Sequence, residues 1–120
     1  MSPFDSILTK EVYEIPDCFK QHINIPYRYV DVYSGSVVIA RLALGIMGKM
    51  CLLHGVAEKW SPSALKAFRT AYFSAVVSGL KELGVTEVVT VNSVDKKWVK
   101  FIKMLYFSEP ETFLMSRMDI

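Results

Sequence analysis

The chain has 120 residues, of which 52% are hydrophobic, and its formal net charge is +2. This length suits one domain rather than two, and the composition favours a packed core over a disordered chain. A charge so close to neutral gives no electrostatic argument for binding nucleic acid. We therefore expect one domain over residues 1–120, without nucleic acid as a partner.

The sequence shows neither an export signal nor a membrane span. Met1–Asp5 has no basic cluster and no long apolar stretch, and the longest apolar run, Val37–Met47, is broken by Arg41. Such a run is too short to cross a bilayer. The two cysteines, Cys18 and Cys51, lie in apolar stretches and are expected as reduced, packed thiols. These features predict a cytoplasmic protein that does not bind membranes.

Residues 1–26 give the weakest secondary-structure pattern. Three prolines interrupt them: Pro3, Pro16 and Pro26. Each proline disfavours helix at the residue before it. We expect short helices around Phe4–Thr9 and Asp17–His22, and irregular structure elsewhere in this segment.

A hairpin of two strands follows. Tyr27–Tyr33 is rich in aromatic and β-branched residues, which favours a strand, and Ser36–Leu44 returns as the second. Ser34-Gly35 suits the turn between them, because glycine readily takes the positive φ of tight hairpin loops. Three tyrosines share one face of the first strand and are expected to line a core or cleft: Tyr27, Tyr29 and Tyr33.

A nearly continuous apolar run, Met50–Val56, follows a turn at Gly45–Lys49. Such a run is typical of a central strand covered on both faces. Gly55 within it predicts either a bulge or a place where another group approaches the backbone closely.

A long helix begins at Ser61-Pro62, where serine caps the free amides and proline suits the first helical position. Gly84 ends it in the usual left-handed conformation. Apolar residues spaced by three or four predict one buried stripe along this helix: Leu65, Phe68, Tyr72, Val76, Leu80 and Leu83.

The remaining sequence predicts a strand, a helix and a strand. Glu87–Val91 is β-branched, and Thr112–Met118 forms the last strand after a break at Ser108–Pro110. The helix between them is indicated by apolar residues at helical spacing: Trp98, Phe101, Ile102 and Leu105. A strand–helix–strand unit implies a parallel pair with a right-handed crossover, so the sheet is mixed.

This order of elements, from Tyr27 to Met118, resembles the GNAT acetyltransferase superfamily. The resemblance implies a single-domain α/β fold in which the central strand leads into the long helix and the next strand splays away. It also implies acetyl-CoA as the candidate cofactor, with its pantetheine arm in that cleft and its pyrophosphate at the helix N-terminus. The positions that would hold it are Leu53, Gly55, Val56, Lys59, Ser61, Ser63 and Ala64.

Two motifs depart from the family pattern. The phosphate-binding turn is usually glycine-rich, whereas Glu58–Ala64 contains no glycine and Pro62 has no amide donor. Phe101 occupies the position where the family often has the tyrosine that protonates the leaving thiolate. The chain looks most like the small GNAT-like proteins of short-tailed phages, on its strand–Gly-turn–strand opening and its closing-helix residues Lys96, Phe101 and Lys103.

Two side chains are candidate general bases. His54 lies near the end of the central strand, where the family gathers its substrate groups, and histidine titrates near working pH. Glu58 follows on the same stretch. The alternatives are a packed strand histidine for His54 and an exposed loop carboxylate for Glu58.

A zinc site can be assembled on paper from Cys51, His54, Cys18 and His22. Strand residues three apart point to opposite faces, so Cys51 and His54 cannot easily share one ion, and we expect no metal. Four lysines of the last helix form a basic face: Lys96, Lys97, Lys100 and Lys103. This face is expected to be solvated, with contact to CoA phosphates or an acidic partner as the alternative.

Three functions remain open. The first is a phage-type GNAT-fold protein that acts mainly by binding a phage or host protein in the host cytoplasm, with its chemistry degenerate or lost. The second is an active acetyl-CoA-dependent N-acetyltransferase. The third is an unrelated α/β binding module. A homo-oligomer is compatible with each of them.

Overall fold

The computed structural model describes residues 2–19, 26–59, 61–91, 102, 105 and 115–120. Of the predicted last helix, only Ile102 and Leu105 are described, and both are buried. Phe101, the four lysines of the predicted basic face and His22 lie outside the described residues. Residues 112–114, which begin the last predicted strand, also lie outside them.

Six strands form one sheet in the order β1-β2-β3-β4-β5-β6. Their bounds are β1 Thr9–Val12, β2 Tyr27–Ser34, β3 Val37–Met47, β4 Met50–Ala57, β5 Glu87–Val91 and β6 Met115–Asp119. Neighbouring strands are antiparallel except β4 and β5, which are parallel. The predicted mixed α/β sheet and its parallel pair are therefore confirmed.

The N-terminal segment differs from the prediction. The helix expected over Phe4–Thr9 is wrong: the chain turns and bends here, and then enters β1. The Ser6 hydroxyl accepts hydrogen bonds from the amides of Leu8 and Thr9 at 3.0 and 3.1 Å. Such local side-chain bonds compete with helix formation. Asp17–Phe19 forms a short 3-10 helix, as expected for the described part of the second predicted helix.

Both hairpin turns are tight, and their positions differ slightly from the predicted ones. Gly35-Ser36 forms the first loop, one residue later than Ser34-Gly35. The second is Gly48-Lys49, shorter than expected because Gly45–Met47 pairs within β3. The φ angles of +62° at Gly35 and +61° at Gly48 lie in the left-handed region that glycine favours.

A bulge occurs in β3 rather than at Gly55. The register between β2 and β3 shifts at Ile39, which is left without a partner residue in β2. Gly55 pairs with Leu42 in an uninterrupted β3–β4 ladder, so the bulge alternative for Gly55 is wrong. The Ile39 carbonyl accepts hydrogen bonds from the amides of Glu58 and Lys59 at 2.9 and 3.1 Å. The bulge therefore fixes the start of the loop that leads to the helix.

The helix after β4 starts as predicted. It comprises α1 Pro62–Ala71, a π-helical segment Tyr72–Val76 and α2 Val77–Glu82. The Ser61 hydroxyl accepts a hydrogen bond from the Ala64 amide at 3.0 Å, which confirms the predicted cap. Gly84 follows with a φ of +85°, as expected for the helix end.

The helix packs on one face of the sheet and forms the main core. Of the predicted stripe, Phe68, Tyr72, Val76 and Leu80 are buried, and Leu65 is half-buried. The prediction is wrong for Leu83, which is 38% exposed because α2 ends one residue earlier. Within the described residues, no helix is both long and apolar enough to cross a membrane.

The opposite face of the sheet carries a smaller apolar cluster of Phe19, Tyr29 and Ala43. The Phe19 and Tyr29 rings stack with their centroids 5.9 Å apart. Tyr27 and Val56 pack against this cluster, so the expectation that the β2 tyrosines line a core or cleft is confirmed for Tyr27 and Tyr29. We call this side of the sheet the open face, because the helix does not cover it.

The N-terminal segment is held on the helix side by the buried carboxylate of Glu11. Arg28 donates to both of its oxygens, from Nε at 3.0 Å and from Nη2 at 2.8 Å, and the Ser2 hydroxyl donates to it as well. The Arg28 guanidinium also lies over the Phe4 ring, 5.1 Å from its centroid. We call Ser2, Phe4, Glu11 and Arg28 the anchor region.

Candidate active site

β4 loses its parallel neighbour part-way along its length. Its pairing with β5 ends at Leu53 and Thr90, whereas β4 itself continues to Ala57. The Thr90 hydroxyl donates to the Leu53 carbonyl at 3.1 Å where the pairing ends. Within the described part of the chain, residues 54–57 therefore have no strand partner on the β5 side. Among the described residues, no strand covers this backbone edge.

Three of the predicted cofactor positions lie along this opening. Leu53 forms the last pair with β5, and Gly55 and Val56 lie just beyond it. The Leu53 side chain belongs to the main core, and the Val56 side chain packs on the open face. The side chains are thus occupied, and the backbone is what this edge presents.

The other four predicted cofactor positions lie at the N-terminus of α1. Lys59, Ser61, Ser63 and Ala64 line a cavity of about 290 Å³ together with residues of the β2–β3 hairpin. The predicted cofactor residues therefore fall into two groups, one along β4 and one at the helix end.

The helix N-terminus presents few unbonded amides. Pro62 has none, the Ala64 amide donates to the Ser61 hydroxyl, and the Leu65 amide donates to the Ser61 carbonyl, both at 3.0 Å. The hydroxyls of Ser61 and Ser63 lie 3.1 Å apart and bond each other. Of these first-turn amides, that of Ser63 donates to no other described residue, so it could meet an anion, aided by the helix dipole. This end fits a phosphate less fully than a glycine-rich turn does.

His54 is half-buried on the open face, beside the opening. Its Nε2 lies 3.1 Å from the Tyr27 hydroxyl, and the two rings meet edge to face at 5.5 Å between centroids. Burial raises the pKa of Tyr27, so the phenol keeps its proton at neutral pH. Tyr27 therefore fixes the orientation of the imidazole. The sequence did not reveal this pair, because its members are distant along the chain.

Glu58, the second predicted base, lies elsewhere. Its carboxylate is exposed, and its Oε1 is 3.6 Å from Nε of Arg41. Glu58 is exposed and lies beside Arg41, whereas His54 is half-buried beside the end of the β4–β5 pairing, so the geometry favours His54 as the base.

A buried acid that sequence reasoning missed lies on the same face. Asp31, in the middle of β2, is 7% exposed, and its Oδ1 has no hydrogen-bond partner among the described residues. The available signal was a charged residue within the aromatic and β-branched run Tyr27–Tyr33. Buried carboxylates are rare unless they are paired.

The fold separates two of the candidate zinc ligands, Cys51 and His54. Cys51 is fully buried on the helix side, where burial raises its pKa to about 12, whereas His54 lies on the open face. This is the alternation that the strand pattern predicted. No group of three or more potential metal ligands occurs within the described ranges.

Comparison with known proteins shows the fold. No protein-family model and no curated protein matches the sequence. The solved N-acetyltransferase PseH of Campylobacter jejuni matches with a TM-score of 0.58 at 17% identity, over 83% of this chain and 72% of that one. PseH has also been solved in complex with acetyl coenzyme A.

Two further solved structures agree. The ribosomal-protein-S18-alanine N-acetyltransferase of Escherichia coli matches with a TM-score of 0.59 at 13% identity, over 86% of this chain and 75% of that one. The GNAT domain of S. lividans PAT gives 0.60 at 12%, over 86% and 66%. Likeness at such low identity establishes the fold, and function must be argued from the site.

Proposed function

Because the chain has the fold of the GNAT N-acetyltransferases, we propose that it binds acetyl-CoA in the opening beside β4 and transfers the acetyl group to an amine. The observation that supports this is the end of β4–β5 pairing at Leu53, with β4 continuing to Ala57. An extended ligand with amide groups can hydrogen-bond to an open strand edge as an added strand does.

The proposed donor site uses both groups of predicted residues. The backbone of Leu53, Gly55 and Val56 faces the pantetheine arm. Lys59, Ser61, Ser63 and Ala64, at the helix end, face the phosphates. Because most first-turn amides are already bonded or absent, we expect weaker phosphate binding here than at a glycine-rich turn.

His54 is the proposed general base, and Tyr27 is its positioning residue. An amine arrives largely as an ammonium ion, and His54 accepts the proton that must leave before the nitrogen can attack. When bound, acetyl-CoA supplies a thioester whose C–S bond breaks as the C–N bond forms, its sulfur taking the second proton from that nitrogen. The Tyr27 hydrogen bond keeps the imidazole aimed throughout.

A calorimetric titration with acetyl-CoA tests this proposal. Ser61→Asp keeps a good helix cap but adds a negative charge at the proposed phosphate site. We expect micromolar binding by the unchanged protein and about tenfold or weaker binding by S61D, which corresponds to about 1.4 kcal/mol. Ser78→Asp, on an exposed position of α2, is the matched control and should bind as the unchanged protein does. Absence of binding at millimolar acetyl-CoA would contradict the proposal.

A second candidate is the phage-type protein that acts by binding a phage or host protein. Ile7 and Tyr13 are 94% and 81% exposed, and they flank β1 at one edge of the sheet. Exposed aromatic and aliphatic side chains beside an edge strand are typical of protein-binding surfaces. The incomplete phosphate site also favours this candidate. Two results together would support it. The folded protein would not bind acetyl-CoA, and it would bind a partner protein that the Tyr13→Ser variant no longer binds.

A further inference from the structure

Asp31 has an unsatisfied atom in the interior. Its side chain is nine-tenths buried on the open face, and its Oδ1 has no hydrogen-bond partner among the residues described. Leaving a buried polar group without a hydrogen bond destabilises the folded protein, and more so when the group is charged. Native proteins contain few such groups, and each calls for a physical explanation.

The side chain of Asp31 lines a cavity of about 290 Å³. The other lining residues come from the segment after β1 and from β3: Val12, Glu14, Ile15, Pro16, Asp17 and Arg41. The lining therefore includes three acidic residues and one arginine beside apolar residues, and Glu14 and Asp17 among them are exposed. This balance of charge favours a cation over an anion.

Two cations of the described residues stand near Asp31, and no hydrogen bond joins either of them to its Oδ1. Lys10 and Arg41 both stand opposite Asp31 in the register of the sheet. Lys10 is exposed and does not line the cavity. Nε of Arg41 lies 3.6 Å from Oε1 of Glu58, which is too far for a hydrogen bond, and it has no hydrogen-bond partner among the described residues. Burial raises the pKa of Asp31, and Arg41 acts against this rise while Glu58 adds to it.

We propose that this cavity binds an organic cation, an ammonium or guanidinium group whose N–H donors satisfy Oδ1 of Asp31. Glu14 and Asp17 add negative charge, and Val12, Ile15 and Pro16 contact the carbon chain of the ligand. A bare metal ion is disfavoured, because the described residues do not form a cluster of three or more metal ligands.

The cavity and His54 lie on the same face of the sheet. Asp31 follows Tyr29 by two residues on β2, and Ala43 pairs with both Tyr29 and His54. A cation held at Asp31 thus belongs to the acyl acceptor rather than to the acyl donor. That assignment rests on the proposed function, whereas the cation site itself does not.

Binding of 1,4-diaminobutane to the full chain, followed by NMR without acetyl-CoA, tests the site. We expect saturable shifts of the Asp31 and Arg41 signals with the diamine, and none with 1,4-butanediol, which is neutral. Asp31→Asn should weaken binding about tenfold or more, since it removes a charge-assisted hydrogen bond. Asp119→Asn, the same change at an exposed residue of β6, is the matched control and should bind normally.

Three results would overturn the proposal: no saturable binding at millimolar diamine, equal binding by folded D31N, or a direct bond of Lys10 or Arg41 to Asp31 in solution. The last would mean that the chain provides its own cation. Thermal unfolding establishes that D31N is folded. Because acetyl-CoA is absent from this titration, its failure leaves the acetyl-CoA result unaffected, and the reverse also holds.

Discussion

The anchor region and the open face treat buried carboxylates in opposite ways. Glu11 is 6% exposed and Asp31 is 7% exposed, so their burial is nearly equal. Arg28 donates to both oxygens of Glu11, at 3.0 and 2.8 Å. Oδ1 of Asp31 receives no hydrogen bond within the described part of the chain. The two carboxylates are therefore about equally buried, but both oxygens of Glu11 accept hydrogen bonds, whereas Oδ1 of Asp31 accepts none from the described residues.

The difference separates a structural acid from one suited to binding. Burial pushes the pKa of Glu11 upward, but its hydrogen bonds from Arg28 and Ser2 outweigh this and lower it. Burial raises the pKa of Asp31, and Arg41 offsets only part of the rise. Glu11 thus stabilises the fold as an anion, whereas ionised Asp31 destabilises it. Such loss of stability is common where a site is shaped for a ligand.

His54→Gln should have the largest effect on activity. The change lies on the open face and leaves the anchor region intact. Glutamine still forms a hydrogen bond with Tyr27 but accepts no proton, so we expect kcat to fall by about 10²–10⁴-fold. Stability should change little. Steady-state kinetics with acetyl-CoA and an amine measures the first quantity, and urea unfolding the second. Unchanged kcat would remove His54 from the mechanism.

Tyr27→Phe is the companion variant. It keeps the ring but removes the hydroxyl that lies 3.1 Å from His54. A positioning role predicts a smaller fall in kcat, about tenfold, with a shifted pH profile and little change in KM. A fall in stability without these changes would show that Tyr27 is only structural.

Arg28→Met should have the largest effect on stability, because it leaves Glu11 buried without its main donor. We expect a loss of about 2–3 kcal/mol in the free energy of unfolding, less than for a fully buried pair. The Arg28 side chain is 36% exposed, which reduces the loss. Arg117→Met, which breaks the more exposed Arg117–Glu87 pair, is the control and should cost about 0–1 kcal/mol. Equal losses of unfolding free energy for the two variants, measured by urea unfolding, would show that the Arg28–Glu11 pair does not anchor the N-terminal segment.

Gly79→Ala tests the packing of the anchor region against α2. A Cβ at this position would lie 2.6 Å from the Phe4 ring and 2.8 Å from the Pro3 carbonyl oxygen. We expect a loss of about 1–2 kcal/mol from overpacking, although alanine favours helix. Ser78→Ala, next to it but exposed, should be neutral or slightly stabilising. A more stable G79A would show that Phe4 is not fixed there.

Asp31→Asn should have the smallest effect on stability and the opposite sign. Removing the buried charge should raise the free energy of unfolding at pH 7 by roughly 0.5 kcal/mol. The folded protein binds the Asp31 proton more tightly than the unfolded chain does, so the destabilisation develops as pH rises above the ordinary pKa of 3.8 through the folded value. The gain in D31N should therefore vanish in acid.

Glu11→Gln provides the contrast in the same pH series. The pKa of Glu11 is lowered from 4.5, so its stabilisation is present above that value and is lost as pH falls through the folded pKa. The variant should be less stable than the unchanged protein at pH 7, and this difference should shrink in acid. If both variants changed the free energy of unfolding in the same direction at pH 7, the two acids would not differ in their effect on stability.

The parts of the fold that could be predicted are those with strong local signals. Aromatic and β-branched residues predicted the Tyr27–Tyr33 strand. A capping serine followed by a proline predicted the helix start at Ser61-Pro62, and glycine predicted the helix end at Gly84. β1 was missed because a strand of only four residues gives almost no alternation, and the hydroxyl of Ser6 sets the local turn. The bulge at Ile39 depends on pairing between strands, which a single sequence does not display.

The site was predictable only where it follows from strand position. The position of His54 on β4 was predicted correctly because the central strand is a local feature, and its role as a base stays a prediction. Its partner Tyr27 depends on how three strands align. The burial of Asp31 depends on the segment after β1, which folds over the open face. Contacts of this kind form only when distant parts of the chain meet.

A ¹H–¹⁵N NMR titration of the full chain with acetyl-CoA tests the proposed donor site most directly. We expect saturable shifts of the Gly55, Val56 and Ser63 amides, which lie along the β4 edge beyond its pairing with β5 and at the start of α1. The amides of the anchor region, including Glu11, should not shift. Saturation without shifts at Gly55 and Val56, or no saturation at millimolar ligand, would contradict the claim that this opening holds the acetyl donor.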